Sequence, residues 1–402
     1  KLLWLKQHMP NTWANAGFFF DLPDFLTWRA TGDDTRSLCS TVCKWTYMGH
    51  EDKWDTSYFR QIGLEDLLEH DAEKIGRYVK TMGEPLGRGL SQRAATEMGL
   101  MPGTAVSVSI IDAHAGTLGT LGASGPSGEV ADFDRRVALI GGTSTGHMAI
   151  SPQARFIGGV WGPYYSAVLP GYWLNEGGQS ATGALIDHVI QSHPCYDTLL
   201  AQAKTQGQTI YEVLNALLRK MAGEPENIAF LTRDIHILPY FHGNRSPRAN
   251  PTLTGVISGL KLSRTPEDMA LHYLATIQAI ALGTRHIIET MNQSGYSIDT
   301  VMASGGGTKN PIFVQEHANA TGCAMLLPEE SEAMLLGGAM MGTIAAGVFD
   351  SFPEAMSAMS RIGKTVTPQT NRIKLYYDRK YTVFHEMYAD HMKYRALMQE
   401  EA

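Results

Sequence analysis

The sequence predicts an α/β protein of two similar lobes with a cleft between them, and three observations carry that prediction. Short apolar runs alternate with helical patterns along most of the chain, the signature of repeated β–α units. Two of those runs, Val137–Ile140 and Thr300–Ala303, end in glycine-rich turns, Gly141-Gly142-Thr143-Ser144 and Ser304-Gly305-Gly306-Gly307. A third, Thr104–Ile111, ends at a lone carboxylate, Asp112, with small residues behind it. The units lie on either side of Gly128, so the expected division is 1–128, 129–373 and a helical tail, 374–402.

Taken in order, Lys1–Thr12 reads as the end of an amphipathic helix that stops near Met9-Pro10. The helical pattern already runs at Lys1, so further residues are expected ahead of it. Phe18–Thr31 combines a short apolar strand with a helix, and Pro23 suits its first turn. Thr35–Trp45 is small and polar around Lys44, as expected of an element lining a cleft. Helices are expected from Asp55 and ahead of Gly99, and a core strand over Thr104–Ile111 delivers Asp112. Beyond Gly128 the pattern turns strand-rich: Val137–Ile140, Met148–Ile150 and Tyr172–Leu174. Asn175–Ala184 reads as a small-residue helix start, Tyr211–Ala222 and Pro266–Met291 as helices, and Ile235–Tyr240 and Gly255–Leu260 as strands. After Thr300–Ala303 come a helix over Ile312–Thr321, a strand at Met325–Leu327 and a close-packed Gly/Ala helix over Ala333–Gly347. Lys374–Ala402 reads as a surface helix.

Composition narrows the function classes. With 402 residues, 44% hydrophobic and 18% charged, the chain can build sizeable cores. A net charge of −7, with scattered basic residues, argues against nucleic acid or an anionic membrane as partner. No apolar run is long enough to span a bilayer. The four cysteines, Cys39, Cys43, Cys195 and Cys323, form no CxxC pair, and no His/Cys spacing reads as a zinc site, so no metal ligands are expected. Free thiols in a reducing cytoplasm are the simplest account, although Cys39 and Cys43 are spaced to share a helix face.

A carboxylate such as Asp112 can remove a proton from an alcohol. A turn such as Gly142-Thr143-Ser144 offers bare N–H groups and hydroxyls to phosphate oxygens. Together they suggest phosphoryl transfer to a hydroxyl. Taken singly, each half is more often an ordinary helix cap or hairpin turn.

With these motifs in order, the chain resembles the FGGY carbohydrate kinases, whose fold is the two-lobed ribonuclease-H/actin-like ATPase fold. Ile110-Ile111-Asp112-Ala113-His114-Ala115 with Gly119 resembles the family's catalytic-aspartate pattern. Gly142-Thr143-Ser144-Thr145 resembles its second phosphate motif, and Ser304–Asn310 its adenosine motif. Gly243-Asn244-Arg245-Ser246-Pro247, with Asn250-Pro251, resembles a further family loop. Ser40–Trp45 and Gly142–Met148 look most like the ribulokinase branch. The resemblance implies Asp112 as catalytic base and Lys44, Asp112 and Glu176 around the sugar. It implies Gly142, Thr143, Ser144, Gly183, Gly306 and Asn310 around ATP, with Mg²⁺ on the phosphates. His114 and His147 are read as structural or secondary. The family's first phosphate motif, D-x-G-T-x-S-x-R, occurs nowhere in residues 1–402. It is expected ahead of Lys1 in the natural protein, which leaves the first lobe incomplete here. The implied reaction is phosphorylation of a primary hydroxyl of a ketopentose, D-ribulose above all. L-ribulose, xylulose and ribitol or another polyol are alternatives, as is a non-catalytic actin-fold nucleotide-binding protein. The family also suggests a homodimer.

Overall fold

A seven-stranded mixed sheet organises the computed structural model, which describes residues 1–124, 132–369 and 371–399. Its strands are β1 (Arg136–Gly141), β2 (Thr145–Ser151), β3 (Trp161–Tyr165), β4 (Trp173–Gln179), β5 (Thr300–Gly305), β6 (Ala324–Pro328) and β7 (Ile362–Val366). They lie in the order β7-β6-β5-β1-β2-β4-β3. β5 is parallel to both β1 and β6, and the remaining neighbours are antiparallel. The expected lobe boundary after Gly128 lies outside the described residues.

The parallel centre is apolar without a break because both of its faces are covered. Ala138, Ile140 and Met302 pack on one side with Leu118 and Leu121 of helix α3 (Asp112–Leu121) and Met340 of helix α8 (Ala333–Ala345). Val137, Leu139 and Val301 pack on the other with Ile287 and Met291 of helix α6 (Pro266–Gln293) and Val314 of helix α7 (Pro311–Thr321). Leu118 and Leu121 are fully buried, each worth about 1.5–3 kcal/mol. Small residues let α3 and α8 meet backbone to backbone. A Cβ at Gly119 would lie 2.1 Å from the Ala333 carbonyl oxygen, and one at Gly337 1.9 Å from that of Ala115.

Ahead of residue 125 the described chain is mainly helical. It includes α1 (Leu22–Thr31) and α2 (Leu38–Lys44), and its only strands are two pairs of two residues each. Thr104–Ile111 is therefore not the core strand its β-branched residues predict. It runs extended beside residues 84–90, bonded through Leu86 N–H to Val106 O and Val108 N–H to Glu84 O, with one isolated bridge at Ser107. Its partner bulges out at Gly87 and Gly89, both in the left-handed region, and returns only at Leu90, whose N–H donates to Thr104 O at 2.9 Å, so no regular ladder forms. The apolar Phe18–Phe20 likewise forms no strand.

Asn175–Gln179 belongs to strand β4, and the helix that follows, α4 (Gly183–Gln191), starts later than the small residues suggest. Gly177 and Gly178 are small because Ile287 and Arg245 press on that strand, within 2.6 and 2.8 Å of where a Cβ would sit. The C-terminal helix α9 (Asn371–Leu397) is more than a surface tail. It buries Ile373, Tyr377, Lys380 and Phe384. Tyr377 donates to the buried Glu316 of α7, and Lys380 Nζ donates to Ile235 O at 3.0 Å. Burial pulls the Lys380 ammonium down to about 7. Among the described residues no helix is long and apolar enough to cross a membrane.

Candidate active site at the carboxyl edge of the parallel strands

β1 and β5 end in register, Gly141 opposite Gly305. Both glycine-rich turns therefore leave the same edge of adjacent parallel strands, the place where open α/β sheets bind ligands. At Gly305, φ is +104° and a Cβ would lie 1.9 Å from the Gly141 carbonyl oxygen, so no other residue fits without moving the strands.

The first turn is clamped by the start of α4. Thr182 and Ala184 donate their N–H groups to Thr143 O at 3.0 and 3.3 Å, and Gly183 donates to Gly142 O at 3.2 Å. A Cβ at Gly183 would sit 2.6 Å from that same Gly142 oxygen. Gly142 and Thr143 are exposed. Gly142 N–H closes the turn on Ser144 O at 2.9 Å. Among the described residues, the N–H groups and hydroxyls of Thr143 and Ser144 have no protein partner. Gly142, Thr143, Ser144 and Gly183 thus form one unit in which the donors of Thr143 and Ser144 are left without a partner among the described residues.

The second turn, Gly306–Lys309, is a single short helical turn whose first N–H groups are unpaired by geometry. Gly306 is exposed, with nothing within 4 Å of a Cβ placed there. Asn310 caps α7 through Ile312 N–H at 3.1 Å. Its amide is also held by Asn215 at 2.9 Å and the buried Tyr273 hydroxyl at 2.7 Å. Asn215 of helix α5 (Ile210–Ala222) and Tyr273 of α6 lie far apart in the chain and are not marked out by the sequence. A cavity of about 730 Å³ opens beside this turn, lined by Thr308, Lys309, Gln315, Lys364 and Gln369, and holds none of the predicted residues.

Asp112 is the first residue of α3 and is exposed. The helix runs antiparallel to β1. Its last residue, Leu121, accepts from Arg136 at the start of β1 (3.0 Å), while Gly116 lies against Ile140 near the strand's end. Asp112 is one turn further on, about 6 Å by helical rise, and so lies past the end of β1 on the edge that carries the turns. One carboxylate oxygen accepts Ala113 N–H at 2.7 Å, and the other has no protein partner among the described residues.

Two residues along, His114 is buried between α2 and β4. Its Nδ1 lies 3.1 Å from Cys39 Sγ and its Nε2 3.7 Å from a carboxylate oxygen of Glu176. Burial opposes charge on this ring, but Cys39 and Glu176 outweigh it and raise its pKa. The Cys39 thiol, also buried, is held below its ordinary range by Cys43 and His114. Glu176 therefore projects from mid-strand toward α3 and is not the helix-start carboxylate its neighbours suggest. Burial and Cys39 push the Cys43 thiol up, Glu176 adds to the rise and Lys44 opposes it, and Lys44 stands exposed at the end of α2.

Behind this cluster Asp24, fully buried, accepts from Ser37 N–H (2.9 Å), Ser109 Oγ (2.7 Å) and Ser40 Oγ (2.6 Å). Burial raises its pKa against the pull of those bonds. One carboxylate thus ties α1 to α2 and to the segment leading into Asp112. Nothing local in the sequence marks it out from an ordinary first-turn aspartate.

Comparison with known proteins agrees with this architecture. The model of the C-terminal domain of the FGGY family of carbohydrate kinases matches residues 137–346. A human FGGY carbohydrate kinase domain-containing protein is 50% identical over 406 residues, covering 100% of this chain and 73% of the relative. The chain belongs to the FGGY family of carbohydrate kinases. A D-ribulokinase of Saccharomyces cerevisiae is 35% identical, over 87% of this chain and 52% of its own length. Among solved structures, a xylulose kinase from Rhodospirillum rubrum superposes with a TM-score of 0.73 at 21% identity, covering 98% of this chain and 72% of that one. The fold is accordingly the actin-like ATPase fold of FGGY sugar kinases, and the family's reaction uses ATP to phosphorylate a carbohydrate.

Proposed function

We propose that this FGGY kinase transfers the γ-phosphoryl group of ATP to a primary hydroxyl of a ketopentose, with D-ribulose as substrate. The observation that carries the reading is Asp112 at the first position of α3, past the end of β1, on the edge where Gly141 and Gly305 open into turns. Its free carboxylate oxygen takes the proton of the attacking hydroxyl. The unpaired donors of Thr143 and Ser144, beside Gly142 and Gly183, hold phosphate oxygens as charge moves in the loose transition state. Gly306 and Asn310 flank the adenosine. Mg²⁺ arrives with ATP as part of the substrate and needs few protein carboxylates because it keeps most of its waters.

Lys44 and Glu176 orient the sugar hydroxyls, so that positioning does much of the catalytic work. On this reading 1–128 is the sugar-binding side, 129–373 the ATP-binding lobe and 374–402 a tail on the latter. Lobe closure excludes water and suppresses ATP hydrolysis. The preference for D-ribulose rests on the ribulokinase-like motifs around Lys44 and Gly142 and on the yeast relative. A coupled ADP-release screen of the full-length protein against ketopentoses, pentitols and glycerol tests it. Turnover highest on D-ribulose is the expected result. ADP release independent of added sugar, or nucleotide binding with no acceptor phosphorylated, overturns the reading.

A further inference from the structure

We propose that Cys39, Cys43 and His114 form a binding site for one soft divalent cation of the zinc class, separate from the ion that accompanies ATP. The two sulfurs and a ring nitrogen of His114 all lie within 4.8 Å of one another, and His114 Nδ1 is 3.1 Å from Cys39 Sγ. An ion about 2.3 Å from each sulfur and about 2.0 Å from the nitrogen fits among donors so spaced. The site is closed to water: Cys39 is 0% and His114 2% exposed, while the half-buried Cys43 gives a way in.

The far side of the ring is prepared as well. Nε2 faces the Glu176 carboxylate at 3.7 Å, an ion-pair distance on the side where a ligating imidazole commonly has an outer carboxylate, and Nδ1 is the nitrogen beside Cys39. Ala167 O also lies near Nδ1, at 3.3 Å. Two thiolates and an imidazole select zinc-like ions and reject Mg²⁺, which demands oxygen.

A disulfide is the competing use of two neighbouring cysteines. Residues four apart on a helix hold their Cβ atoms about 5–6 Å apart. A disulfide needs about 3.5–4.5 Å. With Cys39 and Cys43 both on α2, the pair is spaced for an atom between the sulfurs and not for a direct S–S bond. As each S–metal bond forms, the thiol proton leaves to the buffer, and no oxidant is involved.

Cobalt titration of the reduced, full-length protein tests the site without nucleotide or sugar, so its outcome is independent of the kinase reading. The expected result is a thiolate-to-cobalt charge-transfer band in the near ultraviolet that saturates at one ion per chain and is abolished by added zinc. Cys43→Ser should remove most of the band, and Glu176→Gln should weaken cobalt affinity about 10–100-fold. Absence of the band in the unaltered protein overturns the proposal whatever the variants do. So does a band that survives in the Cys39→Ser/Cys43→Ser double variant, because the ion is then held elsewhere.

Discussion

The turns at Gly142–Ser144 and Gly306–Asn310 present backbone, whereas the surface around Lys44, Asp112 and Glu176 is made of side chains from three distant stretches of chain. Of the two turns, Gly142–Ser144 is held by main-chain bonds, Thr182, Gly183 and Ala184 onto the carbonyls of Gly142 and Thr143, and Gly306–Asn310 closes on itself with the Asn310 amide tied to Asn215 and Tyr273. The side-chain surface is held by buried polar side chains, Asp24 behind it and His114 and Cys39 within it. A backbone cradle suits a ligand part that never changes, such as a triphosphate. A side-chain surface can be altered one residue at a time and suits the part that differs between family members.

Asp112→Asn should break the pair most severely. Loss of the base lowers kcat by about 10²–10⁴-fold, while ATP affinity is unchanged because the turns are untouched. Isothermal titration with an ATP analogue, beside steady-state ADP release, separates the two. A kcat within a few-fold of the parent removes Asp112 from the chemistry.

Asp24→Ala attacks the side-chain half from behind. It leaves the Ser37 N–H and the Ser40 and Ser109 hydroxyls without their buried acceptor, at a cost of about 3 kcal/mol of stability. α2 and the segment before Asp112 lose their common tie, so KM for the sugar should rise while KM for ATP holds. Equal rises in both would show that the two halves are not built independently.

Gly183→Ala is the converse. Its Cβ would meet Gly142 O at 2.6 Å and push the first turn off α4. KM for ATP should rise about tenfold, as for a loss of about 1.4 kcal/mol of binding, with KM for the sugar unchanged. An unaltered ATP KM would detach the turn from the nucleotide.

This contrast also explains what could be read from the chain beforehand. Each turn is contiguous in sequence, so Gly142 and Gly306 stand out in a linear reading, as does Gly183 in its own small-residue run. So does the sheet centre, since Val137–Ile140 and Val301–Ala303 are buried on both faces. The side-chain half is non-local. His114 has no visible partner in the sequence because Cys39 lies 75 positions away and Glu176 comes from another strand. Cys39 and Cys43 lack a zinc-like spacing for the same reason, since the imidazole is brought by α3. Glu176 was misplaced on a helix because two glycines, there to admit Ile287 and Arg245, mimic a small-residue helix start. Thr104–Ile111 carried strand-forming residues but met a partner broken by the bulge at Gly87–Gly89.

Gly306→Ala is the smallest expected change and sharpens the comparison within the backbone half. Its neighbour Gly305 is required by the fold, pinned at φ +104° against Gly141 O. Gly306 has no positive φ and no atom within 4 Å of the added methyl, so the protein itself places no demand on glycine there. Alanine should leave the melting temperature unchanged or raise it slightly, since restricting the unfolded chain is worth about 0.4–1 kcal/mol. A bare residue that the fold does not require is explained if the adenosine lies against it. The methyl then raises KM for ATP a few-fold with no loss of stability, the reverse of Gly305→Ala, which should unfold more readily. Should Gly306→Ala leave both the melting temperature and the ATP KM untouched, the second turn serves the sheet edge alone, and the adenosine must be sought elsewhere along that edge.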